Sequence, residues 1–168
     1  MIVPLFVIVA LSAAPVVPSV GPIAAATAEV ASTRTWPVVG PVVVPFDPPD
    51  SPYGAGHRGI DIAAVLGTPV VAPADGVVTF AGPVGGRLFV TIDHGGGVLS
   101  TASFLSSVTV RRDDAVTGGQ QVGTTGGGHA GSPTPVLHFS VRRDDAYEDP
   151  LGYLPGIDTS AWVRLAPV

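Results

Sequence analysis

Gly76-Val77-Val78-Thr79-Phe80-Ala81, Gly82-Pro83-Val84-Gly85-Gly86 and Arg87-Leu88-Phe89-Val90-Thr91-Ile92-Asp93 form one continuous passage, and its reading decides the fold. Leu88, Val90 and Ile92 share one face of an extended chain, while Phe89, Thr91 and Asp93 share the other. That is the period-two pattern of a half-buried strand. Val77–Ala81 has the same character, and Gly82–Gly86 between them reads as a turn. Connections this short suit antiparallel pairing, because a parallel pair needs a crossover of about a dozen residues or more.

Outward from this hairpin, Val98–Leu105, Val108–Arg111, Gln121–Val122 and Leu137–Arg142 read as further strands. Ala74-Asp75-Gly76, Asp93–Gly97, Gly118-Gly119 and the glycine-rich Gly123–Gly131 read as turns, with Asp75 as a turn residue. Upstream, Trp36–Phe46 is extended and Asp47–Pro52 is a loop. No stretch carries a helical period, and 22 Gly with 18 Pro among 168 residues suit short strands better than helices. The expectation is an all-β fold: a small antiparallel sheet or sandwich over residues 36–155, with 29–35 a linker and 156–168 a tail anchored, if at all, by Trp162.

Composition excludes a good deal of chemistry. There is no Cys, so disulfides, thiol nucleophiles and cysteine-based zinc sites are out. All eight basic residues are Arg, so there is no phosphate-loop lysine or Schiff base. Only Glu29 and Glu148 are glutamates, which leaves no HExxH helix. A net charge of −5 argues against a nucleic-acid partner. Residues 2–28 are uncharged, Ile2–Ala14 is apolar, and Ala26 and Ala28 form an A-x-A signature. Residues 1–28 therefore read as an export signal, placing the chain outside the cell or at the cell wall. The alternative is an uncleaved membrane anchor, which Pro4, Pro15, Pro18 and Pro22 disfavour.

The four histidines are His57, His94, His129 and His138. His57-Arg58-Gly59-Ile60-Asp61 spaces an imidazole and a carboxylate four apart, on a loop running into a strand. Both suit zinc, and a third ligand would leave one position open to water. His138, flanked by Leu137 and Phe139, is the best third candidate. Spacing alone leaves open whether His57 and His138 are instead surface or hydrogen-bonded core residues.

The wording of the sequence resembles the lysostaphin/LytM-type zinc metallopeptidases. Gly56-His57-Arg58-Gly59-Ile60-Asp61-Ile62 is similar to their G-H-x-G-x-D-[IL] motif. Gly67-Thr68-Pro69-Val70 through Asp75-Gly76-Val77-Val78, Val90-Thr91-Ile92-Asp93-His94-Gly95, Leu137-His138-Phe139 and Asp149-Pro150-Leu151 follow in the family's order. The resemblance implies a LytM-type β domain of the duplicated hybrid motif kind, whose loops form a groove. It also implies one zinc ion on His57, Asp61 and His138, and hydrolysis of peptide bonds in bacterial peptidoglycan.

Two positions depart from the pattern. Val136 holds the place of the first His of the family's H-x-H, and Phe104 that of a second helper His. Neither side chain can move a proton or donate to an oxyanion. His129, in the glycine loop, is the candidate to compensate as general base or oxyanion donor; otherwise it is a solvent-exposed loop residue. The alternative function is a degenerate pseudo-peptidase that retains zinc and binds or regulates cell-wall turnover, with a cell-wall regulatory protein as possible partner. A purely structural exported domain leaves the His and Asp positions unexplained. His94 reads as structural, Arg142–Asp145 as a solvated mixed-charge turn with wall binding as the alternative, and Tyr53 as a candidate groove residue.

Overall fold

A computed structural model describes residues 34–51, 54–129, 132 and 134–156. The expected export signal, Tyr53 and Trp162 lie outside these residues. The described chain forms β1 (Val42–Val44), β2 (Ile60–Ala63), β3 (Pro69–Val71), β4 (Gly76–Val84), β5 (Arg87–Asp93) and β6 (Val98–Val108). There follow β7 (Ala115–Val116), β8 (Gln121–Thr125), β9 (Val136–Arg143), β10 (Ala146–Glu148) and one helical turn, α1 (Pro150–Tyr153). The main path of the sheet runs β1-β2-β9-β6-β5-β4-β7; β10 adds to β9, and β8 bridges β3 to β6. Every pairing is antiparallel, as expected of an all-β LytM-type fold.

Alternation sets what each face does. Val90 and Ile92 of β5, Ala102 of β6 and Leu137, Phe139 and Val141 of β9 are buried in the core with Ile60, Ile62, Val70, Val78 and Val122. The opposite face of the same strands carries a row of direct cross-strand partners: Phe89, Ser103, His138 and Asp61. Successive residues point to opposite faces of a strand, so a row that leaves the core must face the other side together. That row becomes the site.

The strand boundaries correct several expectations. The β4–β5 turn is only Gly85-Gly86, with φ of +57° and +78°, because Pro83 and Val84 continue the ladder to Leu88 and Arg87. Pro83 is tolerated because β7 pairs with β4 only at Gly76 and Val77. Val108–Arg111 is not a separate strand: β6 runs unbroken to Val108, bending at Phe104 to exchange β9 for β8. Phe104 is the extra residue between the pairs Leu88–Leu105 and Phe89–Ser103, and its φ is +63°. A bulge of this kind turns a strand without ending it, and so hides from period-two reading.

Gly123, read as the start of a turn, lies inside β8. A Cβ there would stand 2.4 Å from the Ser107 carbonyl oxygen, so glycine permits close approach of β6 and β8. Val42–Val44 is the only strand within the extended Trp36–Phe46. The short β7 and β10 and the turn α1 were not expected. Asp149 caps α1 by accepting from the Leu151 amide at 2.9 Å, and Pro150 opens the turn; one turn is too short to show a period. Of the charged Arg142–Asp145 stretch, both arginines belong to β9, and Asp144-Asp145 form the turn to β10 with φ of +48° and +67°.

Candidate metal centre

The site starts from a loop fastened to a strand. Asp47 and His57 exchange both backbone hydrogen bonds, at 3.0 and 2.6 Å, which sets the loop just before β2. His57 Nδ1–H donates to the Pro45 carbonyl at 2.7 Å, so in the neutral ring Nε2 keeps its lone pair. Four residues on, Asp61 stands on β2 directly opposite His138 on β9. Gly59 makes room for that ring: a Cβ there would lie 2.9 Å from His138 Nε2 and 2.4 Å from the Phe139 carbonyl oxygen.

Three donor atoms therefore meet. Asp61 Oδ1 lies 3.2 Å from His57 Nε2 and 2.9 Å from His138 Nδ1, and the two imidazole nitrogens are 3.1 Å apart. Ligands at zinc's ordinary bond lengths of about 2.0–2.1 Å occupy tetrahedron corners about 3.4 Å apart. The triangle of His57, Asp61 and His138 fits that scale, with one carboxylate and two imidazoles, a donor set that suits zinc. The Asp61 side chain is fully buried, while those of His57 and His138 are 17% and 16% exposed, so the group opens to solvent on one side.

His129 joins the centre without being one of the three. Its Nε2–H donates to Asp61 Oδ2 at 2.7 Å, so both carboxylate oxygens are engaged. Burial pushes the Asp61 carboxyl up, but hydrogen bonds from His138 and His129 and the charges of His138 and His57 outweigh it. They hold the carboxyl below its ordinary value of 3.8.

The two departures, Phe104 and Val136, both touch the His129 loop. Val136 is buried, and a Cβ on Gly128 would lie 2.7 Å from its Cγ2; Gly128 has φ of +78°. Gly126 packs on the Phe104 backbone, where a Cβ would be 2.2 Å from the carbonyl oxygen. The Phe104 ring lies 5.9 Å from that of His129 and 6.0 Å from that of His138. Arg87 completes the seat: its guanidinium donates to the Gly128 carbonyl and lies 5.1 Å over the Phe104 ring. Sequence reasoning missed Arg87, since nothing local marks a residue at the start of β5 as a neighbour of the loop 41 positions on.

The remaining candidates stand apart from the three donors. His94 Nδ1–H donates to the Asp75 carbonyl at 2.7 Å, and Nε2 meets the Ser100 hydroxyl at 2.7 Å, both typical of a structural histidine. Asp75 Oδ1 accepts from the Gly118 amide at 2.7 Å. Among the described residues, no helix is long and apolar enough to cross a membrane.

Known proteins resemble this chain in sequence and fold. Residues 55–150 match peptidase family M23. The murein hydrolase activator NlpD of Escherichia coli is 34% identical over 126 residues, covering 74% of this chain and 32% of NlpD. The uncharacterized protein Rv2891 of Mycobacterium tuberculosis is 35% identical over 140 residues, covering 79% of this chain and 54% of that protein. This chain thus spans about a third to a half of the length of these relatives. Lysostaphin from Staphylococcus simulans superposes with a TM-score of 0.63 at 26% identity, over 82% of this chain and 57% of lysostaphin. The match spans β2 through β10 and so includes β2 and β9, the strands that bring His57, Asp61 and His138 together, and the chain belongs to peptidase family M23, of the LytM type.

Proposed function

We propose that this chain is an exported, zinc-dependent endopeptidase that hydrolyses peptide bonds in bacterial peptidoglycan. The reading rests on the convergence of His57, Asp61 and His138 on one buried-to-open corner, with His129 hydrogen-bonded to the far oxygen of Asp61. Zinc, when bound, polarises a carbonyl and acidifies water. The Pro45 carbonyl orients His57, and Asp61 contributes the negative charge and lies between His138 and His129. On this reading His129, whose Nε2 holds a proton against Asp61 Oδ2, assists proton movement beside the three donors. The export signal 1–28 and a peptidase domain over 36–155 belong to the same proposal, with the cell wall as its destination.

A second reading has a specific observation behind it. Phe104 and Val136 carry no proton where the family pattern has histidines, and a relative, NlpD, is a murein hydrolase activator. On that reading the chain holds zinc and binds peptidoglycan or a wall-regulating protein without cutting.

Digestion of purified peptidoglycan by the zinc-loaded chain separates the two. New amino termini, lost with a chelator and lowered about 10²–10⁴-fold in His129→Ala with zinc retained, support the endopeptidase. Stoichiometric zinc without new amino termini supports the second reading.

A further inference from the structure

Beside the metal centre, a cleft of about 430 Å³ crosses the open face of β4, β5, β6 and β9, with His138 at one end. Alternation supplies hydroxyls from Thr101 and Ser140 and aromatic surface from Phe89 and Tyr147. Two cations, Arg58 and Arg142, line it, and among the described residues no carboxylate does. Against a chain with 13 acidic and 8 basic residues, that is a local reversal of charge. The adjoining hollow on the far side of Phe104 repeats it, with Arg87 and no acid.

The two arginines are spaced along the cleft. Arg58 follows His57 directly, is half-buried, and is held by its own contacts. Arg142 is four residues beyond His138 on β9, which is about 13 Å along an extended strand. Its guanidinium lies 5.8 Å over the Tyr147 ring, and the acid it pairs with, Asp145, is 92% exposed and 3.9 Å away. A pair of that length with an exposed acid contributes little, and its acid exchanges readily for a ligand carboxylate. A guanidinium fork prefers a bidentate carboxylate, and stacking on an aromatic face leaves its edge N–H groups outward.

We infer that this cleft takes an acidic peptide, with one free carboxylate met by Arg58 beside the metal centre and another by Arg142 further along. This rests on the reading of the chain as a peptidoglycan-directed protein and specifies the substrate within it: a stem peptide with free carboxylates rather than an uncharged, glycine-rich bridge.

The test uses purified peptidoglycan freed of other wall polymers, before and after its carboxylates are amidated with carbodiimide and ammonia. The zinc-loaded chain is co-sedimented with each, and new amino termini are counted separately. Amidation is expected to weaken binding by about tenfold or more, and Arg58→Gln/Arg142→Gln is expected to bind native material as weakly as the unaltered chain binds amidated material. Arg142→Gln alone should show part of the loss, and Arg111→Gln/Arg112→Gln, an exposed pair elsewhere, should show none. Equal binding to native and amidated peptidoglycan, or full binding by the double variant with its zinc and melting temperature intact, overturns the inference. Carboxylate-dependent binding without new amino termini would remove the endopeptidase reading and leave this one standing.

Discussion

His129 Nε2 lies 2.7 Å from Asp61 Oδ2, across 68 positions of sequence, while Asp61 Oδ1 faces His57 and His138. One buried carboxylate therefore joins the three donors to the glycine loop. Burial of Asp61 makes each of these partners matter, because an unpaired buried carboxylate is costly.

Removing a donor should remove the metal. His57→Ala, Asp61→Asn and His138→Ala are each expected to lower bound zinc from one ion per chain to a small fraction. Elemental analysis after dialysis against dilute chelator measures it. One of these variants keeping full zinc would remove that residue from the donor set.

The loop's seat should be separable from the metal. Arg87→Met deletes the donor to the Gly128 carbonyl. Gly128→Ala puts a side chain at φ of +78° and against Val136, and a left-handed backbone alone costs Ala about 1–2 kcal/mol. Both are expected to retain zinc, to melt a few degrees lower and to lose at least as much cleavage rate as stability. Unchanged turnover in both would show that His129 needs no such support.

Phe104 occupies a ring site facing both His129 and His138. Phe104→His keeps an aromatic ring in the bulge and adds a proton carrier, so peptide cleavage should rise by up to about 10²-fold. Amino-terminus release at fixed zinc occupancy is the measure. A fall in rate would mean that the apolar ring, with Arg87 over it, serves the centre better than an imidazole.

Acid should weaken the fold through His94. Burial lowers its pKa from the ordinary 6.5; the Asp75 carbonyl and the charges of Asp93 and Asp75 oppose this, and Arg34 assists it. The unfolded chain protonates near 6.5 and the native chain only lower, so the unfolded state holds more protons in between. Stability is therefore complete above about pH 6.5 and falls as pH drops from there toward the native pKa. His94→Gln should flatten the decline in thermal midpoint between pH 7.5 and 5, with both proteins zinc-saturated. Parallel declines would clear His94 of the effect.

Much of the fold was legible because alternation is local. Phe89, Thr91 and Val90 announce their faces within four residues, and β5 stands where the pattern puts it. The β4–β5 turn is shorter than the local sequence suggests, because glycine and proline at 82 and 83 imitate a turn while the ladder continues through them. The run of β6 through Phe104 was missed because a bulge shifts the period by one, and the shift becomes visible only once β5 and β8 are paired to it.

By itself, the sequence determined the all-β architecture, the residue types of the candidate centre and the order in which His57, Asp61 and His138 occur, since these are carried by residue identity and short-range period. Only the tertiary structure decided that Asp61 and His138 stand opposite each other and that His129 closes on the second oxygen. It likewise decided that Phe104, Val136 and Arg87 build that histidine's seat. Those relations depend on register between strands and on which backbone lies close enough to exclude a Cβ, and neither quantity is written in any stretch of neighbouring residues.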